Sequence, residues 1–349
     1  MKTFSCSACD NLVFFENETC EFCGNKLGYW SAEEVMLSVE EEFRFNSKKL
    51  QYCRNHKFEA CNWLIDDSAE DSLCESCQLN DVIPNLDNPK RLLEWQKVEF
   101  AKHRLIYSLK RLGLPFSFNL ENGEKLQLQF KFLAPDIEAK NGRKLLTGHL
   151  SGLITLNVDE ADDAKREAMR MQMGEKMRTL LGHFRHEIGH FYWEAIVLND
   201  AKILNEFREI FGDDQKDYGE ALNKYYENGP KTNWKQFHIT KYASAHAWED
   251  WAETWAHYFH IMDTLETAYY YGLEIQHPVV SSTPEMSIRL DPYSQKDFDK
   301  IIDYYISLTL ALNSLNRGMG LSDIYPFILS KIVIKKLKFI HNLIRNFKA

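Results

Sequence analysis

Residues 182–193 read Gly182-His183-Phe184-Arg185-His186-Glu187-Ile188-Gly189-His190-Phe191-Tyr192-Trp193. At their centre, His186-Glu187-Ile188-Gly189-His190 is an H-E-x-x-H motif. It lies in a stretch from Glu160 to Val197 that holds no proline and has a helical pattern. A strand-like run, Leu153–Asn157, precedes that stretch. On a helix, residues four apart share a face. Two imidazoles so placed can bind one Zn²⁺, and the glutamate beside them can serve as general base toward a water. The bland reading is a helix face with two solvated histidines. A partner motif downstream weighs against it.

A catalytic zinc needs a third ligand and an open fourth position. Downstream stands Ala247-Trp248-Glu249-Asp250-Trp251-Ala252-Glu253-Thr254-Trp255. Glu249 and Glu253 are four apart on a predicted helix from Tyr242 to about Tyr271, whose packed face is Trp248, Trp251, Trp255 and Phe259. One carboxylate can bind metal while the other orients a ligating histidine. Tyr242, His246 and His257 are candidate donors to an oxyanion. His246, one turn before Glu249, is also a competing candidate ligand. His149, His183, His238, His260 and His277 belong to no constellation and are expected in the core or on the surface. The run 152–157 is a candidate edge strand for an extended peptide.

All eight cysteines precede residue 78. Cys6-Ser7-Ala8-Cys9 and Cys20-Glu21-Phe22-Cys23 are two C-x-x-C knuckles with ten residues between them, a spacing that completes a closed tetrahedral zinc site. Cys74-Glu75-Ser76-Cys77 is a third knuckle. Cys53 and Cys61 are expected to join it in a second four-cysteine site, with His56 as the alternative to Cys61. Sites closed by four thiolates have no position for substrate and are expected to fold the region rather than do chemistry.

The chain has 349 residues, 44% of them apolar and 27% charged, with a net charge of −9. That composition supports a packed core and excludes a disordered or low-complexity protein. The negative charge disfavours a nucleic-acid-coating role. No apolar run is long enough to span a membrane, and the N-terminus lacks an apolar signal core, so a cytoplasmic protein is expected. Three segments follow: a zinc ribbon over 1–28, a second four-cysteine module with linker over 29–88, and a catalytic domain over 89–349. Leu92 to Leu109 recur at helical spacing until Gly113 and Pro115. Leu126 to Phe132 alternate as one strand. The basic C-terminal stretch (Lys335, Lys336, Lys338, Arg345, Lys348) interleaves with apolar residues and reads as an amphipathic packing helix.

The E-x-x-x-E of Glu249–Glu253 after H-E-x-x-H resembles the glutamate helix of gluzincin metallopeptidases. More closely, the chain resembles the bacterial zinc-binding metallopeptidases with an N-terminal zinc ribbon. Cys6–Cys23, residues 73–77, 182–193 and 248–257, and Ala311-Leu312-Asn313-Ser314-Leu315-Asn316-Arg317 carry the likeness. The resemblance implies His186, His190 and Glu249 as ligands, Glu187 as base and Glu253 behind a ligand. It implies an α+β, helix-rich, zincin-like metallopeptidase domain behind small four-cysteine zinc ribbons. The expected cofactors are one catalytic and two structural Zn²⁺, and the expected partner is a peptide or protein substrate. The alternative is a non-enzymatic zinc protein whose ribbons bind a protein or nucleic acid.

Overall fold

The computed structural model describes residues 2–39, 42–134, 147–276 and 286–347, so His277 and Lys348 lie outside the described residues. Helices and short strands are mixed, the α+β class expected from the sequence. Two units are distinguished. The first takes residues 1–110, 128–169 and 179–184, and the second takes 111–127, 170–178 and 185–349.

In the first unit, β1 (Phe4–Ser5) pairs antiparallel with β2 (Leu12–Val13), and β3 (Lys26–Trp30) with β4 (Val35–Val39). The first two C-x-x-C turns are built alike. Asp10 and Gly24, each directly after a second cysteine, have φ of 58° and 77°. Their N–H groups donate to Cys6 O and Cys20 O. A left-handed residue there reverses the chain, and glycine or aspartate tolerates that conformation. Strands β5 (Phe43–Phe45), β6 (Lys48–Tyr52) and β7 (Leu64–Asp66) form an antiparallel sheet packed on Phe43, Leu50 and Leu64.

Helix α1 (Pro89–Arg111) starts with proline at its first position, where the missing N–H costs nothing. It stops before Gly113, as its spacing predicts. Its Tyr107 ring centre lies 5.3 Å from that of Phe15, which is 4.8 Å from Tyr29. Modules this small gain apolar burial from such a neighbour.

A four-stranded sheet has the order β12-β13-β11-β8, from β8 (Asn80–Val82), β11 (Gln129–Leu133), β12 (Gly148–Leu150) and β13 (Leu153–Asn157). Phe130, Phe132, Ile154 and Leu156 are its buried residues. β13 is an inner strand, parallel to β11 and antiparallel to β12. The expectation that 152–157 offers a free edge is therefore corrected. Among the described residues, β12 is outermost on that side. The alternation expected as one strand over 126–132 is also split. Leu126 belongs to β10 (Lys125–Gln127), which pairs with β9 (Ser117–Asn119).

The pattern from 160 to 197 is not one helix. After α2 (Asp163–Met173), Gly174 takes φ 62° and ends it, as a glycine can without steric cost. Helix α3 (Leu180–Tyr192) follows and continues as a π turn over Trp193–Val197.

The second unit is mainly helical, with short strands such as β9 and β10. Its further helices are α4 (Ala201–Phe211), α5 (Tyr218–Asn228), α6 (Trp234–Phe237), α7 (Ala247–Tyr270), α8 (Phe298–Gly318) and α9 (Lys331–Asn346). The side chains of Asp200, Asp217, Asp297 and Ser330 cap α4, α5, α8 and α9 by accepting first-turn N–H groups. In α7, Trp251, Trp255, Phe259 and Leu265 are all buried. α9 is the amphipathic packing helix expected. It buries Val333, Leu337, Ile340 and Ile344, and its Phe339 ring lies 6.3 Å from Trp251. No helix among the described residues is long and apolar enough to cross a membrane.

Candidate metal centres

Two four-cysteine clusters form in the first unit, one from Cys6, Cys9, Cys20 and Cys23 and the other from Cys53, Cys61, Cys74 and Cys77. The spacing of the sulfurs tests what they can hold. Thiolates about 2.3 Å from one tetrahedral zinc stand roughly 3.8 Å apart, whereas a disulfide needs about 2.0 Å. Cys6–Cys23, Cys9–Cys20 and Cys61–Cys74 are each 3.7 Å apart. Zinc fits and a disulfide does not. His56 is not among the second set. Its Nδ1 lies 3.1 Å from Cys61 O and its ring stacks 3.7 Å from that of Tyr52.

The third cluster lies in the second unit and joins His186, His190 and Glu249. α3 carries both histidines on one face and α7 carries Glu249 in its first turn. Gly189 is what allows them to meet. A Cβ there would lie 3.0 Å from Ala252 Cα and 3.2 Å from Trp255 Cβ, closer than ordinary contact, so glycine suits this approach. Trp251 Nε1 fixes the contact by donating to Gly189 O at 2.8 Å.

The two Nε2 atoms stand 3.2 Å apart. Glu249 Oε2 is 3.0 Å from that of His186 and 3.7 Å from that of His190. Donors about 2.0–2.2 Å from one tetrahedral zinc are roughly 3.4 Å apart, so this trio fits the ion. The buried Oε2 accepts no hydrogen bond from the protein, as suits an oxygen kept for a cation. Glu253 Oε1 takes the other side of His186, 2.7 Å from Nδ1. With a cation on Nε2, the proton is left on Nδ1, where Glu253 accepts it.

Burial opposes ionisation of Glu249, yet His190 and His186 hold its carboxyl well below the usual carboxylate range. Burial also opposes a charge on His186, but Glu249 and Glu253 outweigh it and raise its pKa. The cluster attracts positive charge.

The other expected site residues fall as follows. Glu187 is buried, directly after His186. The half-buried Tyr242 has its ring 6.0 Å from that of His186. Burial, then the Glu249 charge, push its phenol well above the ordinary value, so it stays an O–H donor. His246 does not join the cluster. It caps α7, accepting Trp248 N–H at Nδ1 and donating from Nε2 to Lys216 O, both at 3.1 Å. His257 contacts Tyr325 Oη at 2.9 Å. Sequence reasoning missed Tyr218, whose hydroxyl donates to Glu249 Oε1 at 2.6 Å. No spacing could have flagged it, because the two residues sit on separate helices.

Two closed thiolate clusters, with a His-His-Glu cluster on two packed helices, define a zinc protein with the donor set of metal-dependent hydrolases. Comparison with known proteins agrees. Residues 91–343 match the family described as putative zinc-binding metallo-peptidase, and residues 3–88 match a zinc-ribbon domain. The chain belongs to that metallo-peptidase family. Uncharacterized proteins of Mycobacterium bovis and Mycobacterium tuberculosis are each 38% identical to it over 344 residues, covering 99% of this chain and 95% of theirs. No solved structure matches the chain significantly.

Proposed function

We propose that this protein hydrolyses peptide bonds with a zinc held by His186, His190 and Glu249. The convergence of those three donor atoms at zinc-ligand separations, with Glu253 behind His186, is the observation that supports it. Zinc bound there supplies Lewis acidity, polarising a carbonyl and acidifying a water. Glu187 would take a proton from the attacking water and pass it to the departing amine. Glu253 keeps His186 in the tautomer that presents Nε2. Tyr242, rather than His246, donates to the oxyanion, since both ring nitrogens of His246 are engaged by backbone. The order of a ligand carboxylate and then an orienting one, a turn later, is that of gluzincins.

Residues 1–28 and 29–88 are then two structural zinc modules, and 89–349 is the peptidase domain. The ribbons are the surface for any protein partner. Eight reduced cysteines suit the cytoplasm. A peptide library incubated with zinc-loaded wild type and with Glu187→Gln tests the reading. Cleavage is expected from wild type, abolished by chelator and lost in the variant. Equal turnover by the two proteins overturns the role of Glu187 as base, and no turnover by either across the library overturns the reading in favour of a non-enzymatic zinc protein.

A further inference from the structure

Beside the second four-cysteine cluster lies a group of polar side chains with no exposure to speak of. Glu99 and Lys102 are 0% exposed and His103 is 2% exposed. All three belong to α1, outside the segment that matches the zinc-ribbon domain. Burying charge this deeply costs several kcal/mol per ion, so each group needs a partner. Cys77 Sγ lies 3.7 Å from His103 Nε2 and 3.9 Å from Glu99 Oε2. Glu99 Oε2 pairs with Lys102 Nζ at 2.8 Å, and Asn80 Nδ2 donates to Glu99 Oε1 at 2.8 Å. The ammonium also lies 5.7 Å from the ring centres of both Phe130 and Phe132.

Cys77, Glu99 and His103 have the spacing of a metal site of their own. The position of Lys102 argues against a second ion, because its ammonium already occupies the cation's place against Glu99 and would repel a metal there. A different role follows from the sulfurs. A zinc with four thiolates carries a net −2 charge, and N–H donors to sulfur spread that charge. Trp63 N–H donates to Cys61 Sγ at 3.4 Å, and Cys74 N–H donates to Cys53 Sγ at 3.3 Å. A thiolate has no proton to give, so the 3.7 Å contact at Cys77 requires the proton on His103 Nε2.

We propose that His103 is a positioning residue of the second zinc site, donating its Nε2–H to Cys77 Sγ, and that the Glu99–Lys102 pair holds α1 in the register that puts it there. The second zinc site is thus completed by helix α1 and is not self-contained in the ribbon. The sequence carries a trace of this. Glu99 and Lys102 fall on the same buried stripe of α1 as Trp95, Val98, Leu105 and Ile106, where apolar residues belong.

The test uses the full chain loaded with ¹¹³Cd at its cysteine sites. In wild type, both resonances are expected in the all-sulfur range, and one shows scalar coupling to the His103 Nε2 proton. His103→Phe, which keeps a ring against Trp63, is expected to shift that resonance alone. It should also speed release of that one zinc to a chelator about 10–100-fold, the usual cost of removing a ligand's supporting partner. His103→Gln, which keeps an N–H, should restore part of the slow release. Three results overturn the proposal: no coupling in wild type, a resonance typical of three sulfurs and one nitrogen, or a folded His103→Phe whose shift and release rate match wild type. If His103→Phe does not fold, the wild-type coupling decides.

Discussion

Gly189 lies at a close approach between α3 and α7, beside the cluster of His186, His190 and Glu249. Gly189→Ala would press a methyl against Ala252 Cα and Trp255. Both neighbours are helix-bound, so the backbones must give by a few tenths of an ångström. Overpacking of this kind costs about 1–3 kcal/mol, and it would also widen the gap between Glu249 and the two imidazoles. The expected outcome is a lower melting temperature with weakened zinc binding at this site and unchanged occupancy at the cysteine sites. Thermal melts and site-resolved metal analysis read both. The two glutamates separate at the same scale. Glu249→Ala should empty the site, whereas Glu253→Ala should weaken it about 10–100-fold, the usual cost of losing a ligand's support. Zinc titration against a competing chelator distinguishes them. Retention of metal by Glu249→Ala with its loss in Glu253→Ala would reverse the assignment. Tyr218→Phe, which removes only the hydrogen bond to Glu249 Oε1, should weaken zinc less than Glu249→Ala does.

At the scale of elements, α9 and α7 are tied by a buried charge pair. Lys336, 3% exposed, pairs with Asp250, 0% exposed, and also donates to Phe237 O at 2.6 Å. Asp250 directly follows Glu249 in the first turn of α7, so α9 helps to hold the turn that carries the third donor. Removing one member of a buried pair strands the other and typically costs about 3–5 kcal/mol, whereas replacing both is far milder. Lys336→Met should therefore lower stability strongly, and Lys336→Met with Asp250→Asn should recover much of the loss. Denaturant unfolding of Lys336→Met, Asp250→Asn and the double variant measures the difference. A double variant as unstable as the sum of its singles would show that the pair contributes nothing of its own. The amphipathic character of α9 is legible in its sequence. The use of one of its lysines inside the protein is not, since an ammonium has the same letter whether solvated or buried.

For the whole molecule, the expectation is three zinc ions per chain, from eight cysteines in two clusters and one His-His-Glu cluster. His190→Ala should leave two zincs bound. Cys20→Ser should cost the fold of the N-terminal module, because a closed zinc site contributes folding energy directly. Metal analysis of protein purified without chelator, together with circular dichroism, tests both. One zinc or none in folded wild type, or an intact ribbon in Cys20→Ser, would refute this division.

Local spacing sufficed for whatever depends on neighbours along the chain. H-E-x-x-H puts His186 and His190 on one helical face, the C-x-x-C turns put pairs of sulfurs together, and apolar residues at helical spacing mark α1 and, among basic ones, α9. Each follows from a period of 3.6 residues or from one turn, which the sequence alone determines. Helix ends were less legible. Gly174 breaks a run that looked continuous, because a single glycine inside a helical pattern need not end it. Strand edges were not legible at all, since β13 becomes an inner strand through pairing with residues before and just ahead of it. Only tertiary structure decided that Glu253 faces Nδ1 of His186 while Glu249 faces Nε2, that His246 spends both nitrogens on backbone, and that Tyr218 reaches Glu249 and His103 reaches Cys77. Apart from the His246 cap on Trp248 N–H, these are contacts between elements separated in sequence. Their geometry is set by how helices approach and by which buried polar groups must find partners, and neither is encoded in the spacing of residues along one segment.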